Sequence, residues 1–265
     1  MTICGIEFLN DFSLMVNFKI VHLHPQIQKI VKKVCLLLLF ALLISKVNAQ
    51  NLQLHYDLGK DRNYLTSTFE YFHADNLGST FLFVDMDYDI GEIRGISSAY
   101  WEIGRSFTLA KSPFAIHGEY NGGFLQWRDS GFVGIVQIND AFLAGPEYNY
   151  NNEDFTLGIT MQLMYKYIRD KHDASFQITG VWYYHFLKGK LSFTGFADFW
   201  KEDTYYPSGL LETEKTEYIF MAEPQLWFNI DKHFAIGSEL EIGNNFAGIK
   251  GLQLNPTIGF KWTIE

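Results

Sequence analysis

The chain has 265 residues, 30 Asp and Glu against 21 Lys and Arg, a formal net charge of −9 and 17% aromatic residues. An acidic balance of this size excludes a nucleic-acid-binding surface, which needs Lys and Arg to replace phosphate counterions, and a basic membrane-surface patch. Both cysteines, Cys4 and Cys35, lie near the N-terminus, so the rest of the chain has no thiol for metal or redox chemistry.

The first element has the order of a secretory signal peptide: Lys29, Lys32 and Lys33, an uncharged run from Val34 to Ile44 (VCLLLLFALLI), then Ser45-Lys46-Val47-Asn48-Ala49. Eleven residues at about 1.5 Å each reach about 16 Å, half of a hydrocarbon core, so the run is too short for a spanning helix. Cleavage is expected after Ala49, with residues 1–28 an extension outside the fold. Cys35 stands at the start of the apolar run rather than after it and so cannot be a lipidated first residue. Removing 1–49 takes away five basic and two acidic residues and leaves 216 residues with a net charge near −12.

From residue 51 onward the period is two, not 3.6. Phe155, Leu157, Ile159, Met161, Leu163, Tyr165 and Tyr167 alternate with polar residues, as do Phe176, Ile178, Trp182, Tyr184 and Phe186, and Leu254, Ile258, Phe260, Trp262 and Ile264. Turn residues place strands near 51–58, 64–73, 79–88, 95–107, 113–124, 141–149, 155–167, 175–186, 191–200, 217–229, 233–243 and 253–264. Such lengths suit bilayer crossing at a tilt, which takes about 9–11 residues, better than a soluble strand of about five or six. Short connections at 74–78, 108–112, 150–154, 187–190 and 230–232 alternate with longer ones at 59–63, 89–94, 125–140, 168–174, 201–216 and 244–252. Outer-membrane barrels alternate short periplasmic turns with longer external loops in this way. The expected fold is an all-β, transmembrane, antiparallel up-and-down β-barrel of about twelve strands over residues 50–265. Trp182, Tyr183, Tyr184, Tyr205 and Tyr206 are candidates for its interfacial rings. Pro224 and Pro256 fall inside predicted strands, where a local bulge would accommodate them.

If the apolar parity faces lipid, the other parity lines the lumen. It carries Glu70, Asp85, Asp87, Glu102, His117, Glu119, Asn121, Glu147, Asp198, Glu223, Gln225, Glu239 and Glu241, with Phe81, Phe83, Tyr100, Phe196, Trp200 and Trp227 among them. Lys166, Lys261 and Arg105 are the opposing bases. An ionised carboxylate facing lipid is costly, so these groups belong toward water. Glu70, Phe81, Phe83, Asp85, Asp87, Tyr100, Glu102, His117, Glu119, Phe196, Asp198 and Trp200 are the candidate solute-contacting residues, and Glu70, Glu102, His117 and Glu119 are expected to cluster. No chain-local metal-ligand spacing such as HExxH occurs, and no cofactor or metal is expected.

The stretches Asn63-Tyr64-Leu65-Thr66-Ser67-Thr68-Phe69-Glu70-Tyr71-Phe72, Thr80–Tyr88 (TFLFVDMDY), Tyr100–Phe107 (YWEIGRSF) and Phe193–Trp200 (FTGFADFW) resemble the Tsx-like outer-membrane channels, twelve-stranded barrels that admit nucleosides, and an uncharacterised bacterial family related to them. The resemblance implies a small-solute channel with lumenal aromatics flanked by ionisable groups, with Glu70, Phe81, Phe83 and Asp85 carried over. The chain departs from that pattern in its short loops and in ending Trp262-Thr263-Ile264-Glu265. The implied partners are outer-membrane lipid, a small-molecule solute, and the export and barrel-assembly machinery.

Two other functions fit a barrel of this size. An outer-membrane lipid-modifying enzyme would need a Ser/His constellation on the lipid face. The outward parity offers Ser238, and His73 and His185 have no evident Ser partner on an adjacent strand, so no catalytic residue is assigned. A closed structural or ligand-binding barrel would be plugged by Phe196, Trp200 and Trp227 or by the 125–140 loop.

Overall fold

The computed structural model describes residues 50–60, 62–129, 132–171, 175–207 and 213–264. The signal-peptide expectation for 1–49, with cleavage after Ala49, lies outside them. The strands are β1 (Gln50–Asp57), β2 (Leu65–Asp75), β3 (Gly78–Tyr88), β4 (Ile96–Thr108), β5 (Phe114–Asp129), β6 (Phe132–Asn151), β7 (Leu157–Ile168), β8 (Ser175–Phe186), β9 (Leu191–Pro207), β10 (Thr213–Ala222), β11 (Gln225–Asn229), β12 (Phe234–Asn244) and β13 (Leu252–Ile264). Neighbours pair antiparallel, and β1 closes the sheet on β13 from Gln50↔Ile264 to Asp57↔Thr257.

Strands β10 and β11 are two stretches of one wall strand. Both lie between β9 and β12 in unbroken register, with Ala222 opposite Ala197 and Ile242, and Gln225 opposite Thr194 and Glu239. The interruption is Pro224, which has no N–H to give the ladder. The wall is therefore a closed barrel of twelve strands. The expected bulge at Pro224 is absent, because the register passes through it unchanged. Gly195 stands beside this point with φ +149°, and a Cβ on it would lie 2.4 Å from the Glu223 carbonyl oxygen. Pro256 is tolerated for a different reason: its neighbour on one side is Leu58, just past the end of β1, whose N–H donates to the Pro256 carbonyl at 2.9 Å.

Alternation divides every wall strand into two faces. Along β1, Gln53, His55 and Asp57 are buried inside while Leu52, Leu54 and Tyr56 are exposed outside. Along β13, Leu254, Ile258, Phe260 and Trp262 are exposed between buried Asn255 and Thr257. Ile103, Ile116, Phe142, Leu163, Leu226 and Ile236 continue the apolar exterior around the circumference. A continuous belt of this extent is stable against hydrocarbon rather than water, which makes the barrel transmembrane.

The end carrying the first and last strand residues has tight connections, such as Asn76-Leu77 between β2 and β3. At the opposite end two segments expected as loops are strand instead. Residues 125–140 belong largely to β5 and β6, which pair out to Asp129↔Phe132, and β9 and β10 pair out to Pro207↔Thr213. The period-two reading misses the first hairpin because Asn139 and Asp140 stand together against Gly122, shifting the register between Ala141 and Ile138. Ile135 (68% exposed) and Val136 (53%) alternate onto opposite faces of this hairpin. It therefore rises from the rim, and a plug made of 125–140 is not what these residues form.

Candidate lumenal site

All twelve candidate residues sit on inward positions. The direct pairs Glu70↔Phe83, Asp85↔Tyr100 and Phe83↔Glu102 tie β2, β3 and β4 to one face, and Glu102↔Asn121, Gly104↔Glu119 and Ser106↔His117 extend that face to β5. On β9, Phe196, Asp198 and Trp200 oppose Val181, Thr179 and Gln177 of β8. Phe81, Phe83 and Tyr100 form a ladder of rings with centroids 5.9 and 5.8 Å apart. Phe81 and Phe83 are successive inward residues of β3, and Tyr100 is the diagonal inward neighbour of Phe83 on β4, which brings the three rings into reach.

The expected cluster of Glu70, Glu102, His117 and Glu119 is only partly assembled. His117 Nε2 lies 3.0 Å from Glu119 Oε2, and its Nδ1 lies 3.2 Å from Glu147 Oε2, so the imidazole bridges two carboxylates. Glu147 is the partner the cluster lacked. Its Oε2 accepts from Ser106 Oγ at 2.7 Å and Gln162 Nε2 at 2.8 Å, and its Oε1 accepts from Asn149 Nδ2 at 2.6 Å. Gly104 makes room for the ring, since a Cβ there would lie 2.8 Å from His117 Cε1. Glu70 belongs elsewhere: it sits on β2 and accepts from Asn51 Nδ2 at 2.7 Å. Two strands, β3 and β4, separate it from His117.

Glu102 and Glu119 instead face Asp198 across the lumen, and Lys166 shares their electrostatic range. One oxygen of each carboxylate is tied to its own wall: Tyr100 donates to Glu102 Oε1 at 2.7 Å, Thr179 donates to Asp198 Oδ1 at 2.5 Å, and His117 holds Glu119 Oε2. Glu119 Oε1 and the neighbouring Asn121 Oδ1 are buried with no donor, and so is Asp85 Oδ1 two strands away on β3. Asp85, Glu70, Glu223, Glu239 and Glu241 form a second group of mutually interacting carboxylates. Arg62, from the β1–β2 connection, reaches in to Glu241 at 2.9 and 3.1 Å and to Asp57 at 2.9 Å, a base that strand parity could not identify.

The two lumenal lysines are engaged by rings and amides. Lys166 Nζ donates to Gln177 Oε1 at 2.7 Å and stands 4.5 Å above the Trp200 ring. Lys261 Nζ stands 4.2 Å above Trp227. Trp227 is fully buried because two inward glycines leave it a seat: a Cβ on Gly237 would lie 2.6 Å from the indole, and one on Gly259 3.2 Å. His55 closes the seat edge-on at 5.6 Å, and the indole Nε1 donates to Gln225 Oε1 at 2.8 Å.

Two expectations fail here. Arg105 occupies an outward position at the end that carries the short turns, bonded to Thr80 Oγ1 and paired with Asp75 at 2.9 Å, so it does not oppose the lumenal acids. His185 does have a Ser partner on an adjacent strand: His185 and Ser192 are directly paired, with Nδ1 and Oγ 2.9 Å apart, and Asn229 Nδ2 donates to the same Oγ at 2.9 Å. The pair points inward rather than to lipid, and Ser192 is buried. Of the ring candidates, Trp182 lies on the outer face beside Phe193, ring centroids 5.9 Å apart, whereas Tyr183 shares the inward parity of His185 and stacks on it at 5.3 Å.

Comparison with curated protein sequences finds no match. Among solved structures, the chain is similar to a KdgM porin in complex with disordered oligogalacturonate, at 13% identity over 82% of this chain and 100% of that one, with a TM-score of 0.46. It is likewise similar to the Acinetobacter baumannii outer membrane protein Omp33, at 14% identity over 82% and 97% of the two chains, with a TM-score of 0.40. A family model described as a domain of unknown function, DUF5020, matches residues 49–264, and the chain belongs to that family.

Proposed function

We propose that the barrel is an outer-membrane channel for small neutral or cationic solutes, with the short turns on the periplasmic side. The observation that carries this reading is the imbalance of the lumen. Carboxylates from β2, β3, β4, β5, β9, β12 and the β10–β11 strand point inward, Lys166 and Lys261 are occupied by ring faces, and three acceptor oxygens have no donor. Unneutralised inward carboxylates attract cations and repel anions. Export through a signal peptide ending at Ala49 and assembly by the barrel-insertion machinery complete the proposal.

The finer reading is a Tsx-like nucleoside channel. The ladder of Phe81, Phe83 and Tyr100 supports it, because a flat base stacks on aromatic rings while carboxylates bond its sugar hydroxyls. Purified protein in a planar bilayer tests both levels. Stepwise conductance supports the channel, and its block by nucleosides supports the finer reading. A stably inserted but silent barrel overturns both.

One observation favours a closed binding barrel as the second reading. Several inward side chains are almost fully buried, among them Gln53, His55, Asn121, Gln177 and Trp227, whereas a wide aqueous pore keeps its lining wet. In that case the protein binds a solute without passing current.

A further inference from the structure

We infer that the lumen carries a subsite for the ammonium group of a small organic amine, formed by Glu119, Asn121, Glu102 and Asp198. This inference deepens the channel reading and rests on its premise that solutes enter the lumen.

Register brings three of the four residues together, and the fourth lies within their electrostatic range. Asn121 and Glu102 are directly paired across β4 and β5, Glu119 is the next inward residue on β5, and Asp198 faces them from β9. The wall holds one oxygen of each carboxylate, through Tyr100, His117 and Thr179, and thereby fixes each side chain's direction. What remains is directional acceptor capacity. Asn121 is 3% exposed and its Oδ1 has no donor, and Glu119 Oε1 is buried in the same condition. A buried acceptor left unpaired is costly, so a site of this kind suits a donor that arrives from outside.

The nearest resident cation does not fill that role. Lys166 Nζ is committed to Gln177 Oε1 and to the face of Trp200, and among the described residues no ion pair joins it to a carboxylate. A metal ion fits less well than an ammonium. Among the described residues no group of three or more His, Cys, Asp or Glu side chains is arranged to hold one, whereas an ammonium offers three N–H donors to separately directed oxygens. A neutral hydroxyl could satisfy Asn121 but brings a single donor to a site with several acceptor oxygens.

Isothermal titration of the purified full chain, folded in detergent micelles, tests the subsite with n-butylamine as probe and n-butanol as its neutral counterpart. The expected result is saturable binding of butylamine, none of butanol, and a loss of about tenfold or more in affinity in both Glu119→Gln and Asn121→Leu, with Glu153→Gln in an exposed turn unchanged. Retention of the heat-modified gel shift shows that each variant is folded, and the two substitutions differ enough that one can fail without the other. Butylamine affinity equal in wild type and both folded variants, or no binding to wild type, overturns the subsite. Binding by a barrel that passes no current overturns the channel reading while leaving the subsite standing. Conductance without amine binding does the reverse.

Discussion

Glu147 and Glu119 touch the same imidazole and share the lumenal face, yet their surroundings differ in kind. Glu147 accepts from Ser106, Asn149 and Gln162 in addition to meeting His117, so both of its oxygens are satisfied, one from neighbouring strands and one from its own. Glu119 is held by His117 through one oxygen, and the other has no partner. The difference separates a carboxylate that ties β4, β5, β6 and β7 together from one that keeps acceptor capacity for something mobile. Residue type and parity are identical for the two, so only the supply of donors distinguishes structure from function.

The largest expected effect lies on the structural side. Glu147→Ala strands His117, Ser106, Asn149 and Gln162 without their common acceptor, and unfolding by urea in lipid vesicles should show a loss of about 3–5 kcal/mol, the range for breaking a buried charged network by removing one partner. A loss comparable to that of Glu119→Gln would erase the distinction. Gly237→Leu should come next. It overpacks the seat of Trp227, at a cost of about 1–3 kcal/mol, and shifts tryptophan emission as the indole is displaced.

Glu119→Gln should cost less than about 1 kcal/mol in the same unfolding measurement, because the amide keeps an oxygen for His117 and removes a charge that no second donor neutralises. Its effect should appear in permeation instead, as weaker preference for cations. The smallest effect belongs to a carboxylate satisfied in water. Asp231, in the β11–β12 turn, accepts from the backbone N–H groups of His233 at 2.7 Å and Phe234 at 2.9 Å, and these bonds hold its carboxyl below the ordinary range. A lowered folded pKa means the contribution is present above the unfolded value of about 3.9 and is lost as pH falls through the lower folded value. The difference in unfolding midpoint between wild type and Asp231→Ala should therefore be small near neutral pH and should vanish in stronger acid.

The fold was largely legible because a membrane barrel writes its two faces into every second residue. Leu254, Ile258 and Phe260 could be assigned outward, and Glu102, Glu119 and Asp198 inward, without knowing any neighbour. What period two cannot carry is relative register. Glu70 is excluded from the His117 cluster by strand order, since β3 and β4 lie between β2 and β5, whereas the approach of Glu147 depends on how far β6 is displaced against β5, which the hairpin and the bulge at Asn139-Asp140 set. The same blindness hid the pairing of His185 with Ser192 and the inward reach of Arg62 from a connection. Pro224 misled in a milder way: a missing N–H looks like a disruption, but Gly195 beside it absorbs the change without a shift in pairing.

The lumenal imbalance is tested most directly by the reversal potential of the purified protein in a planar bilayer under a potassium chloride gradient. The inward excess of carboxylates over bases, with Glu119, Glu102, Asp198 and Asp85 among them, predicts current that reverses toward the potassium equilibrium potential, with the preference reduced in Glu119→Gln. Reversal toward the chloride potential, or a barrel that inserts and carries no current, would contradict a cation-preferring channel.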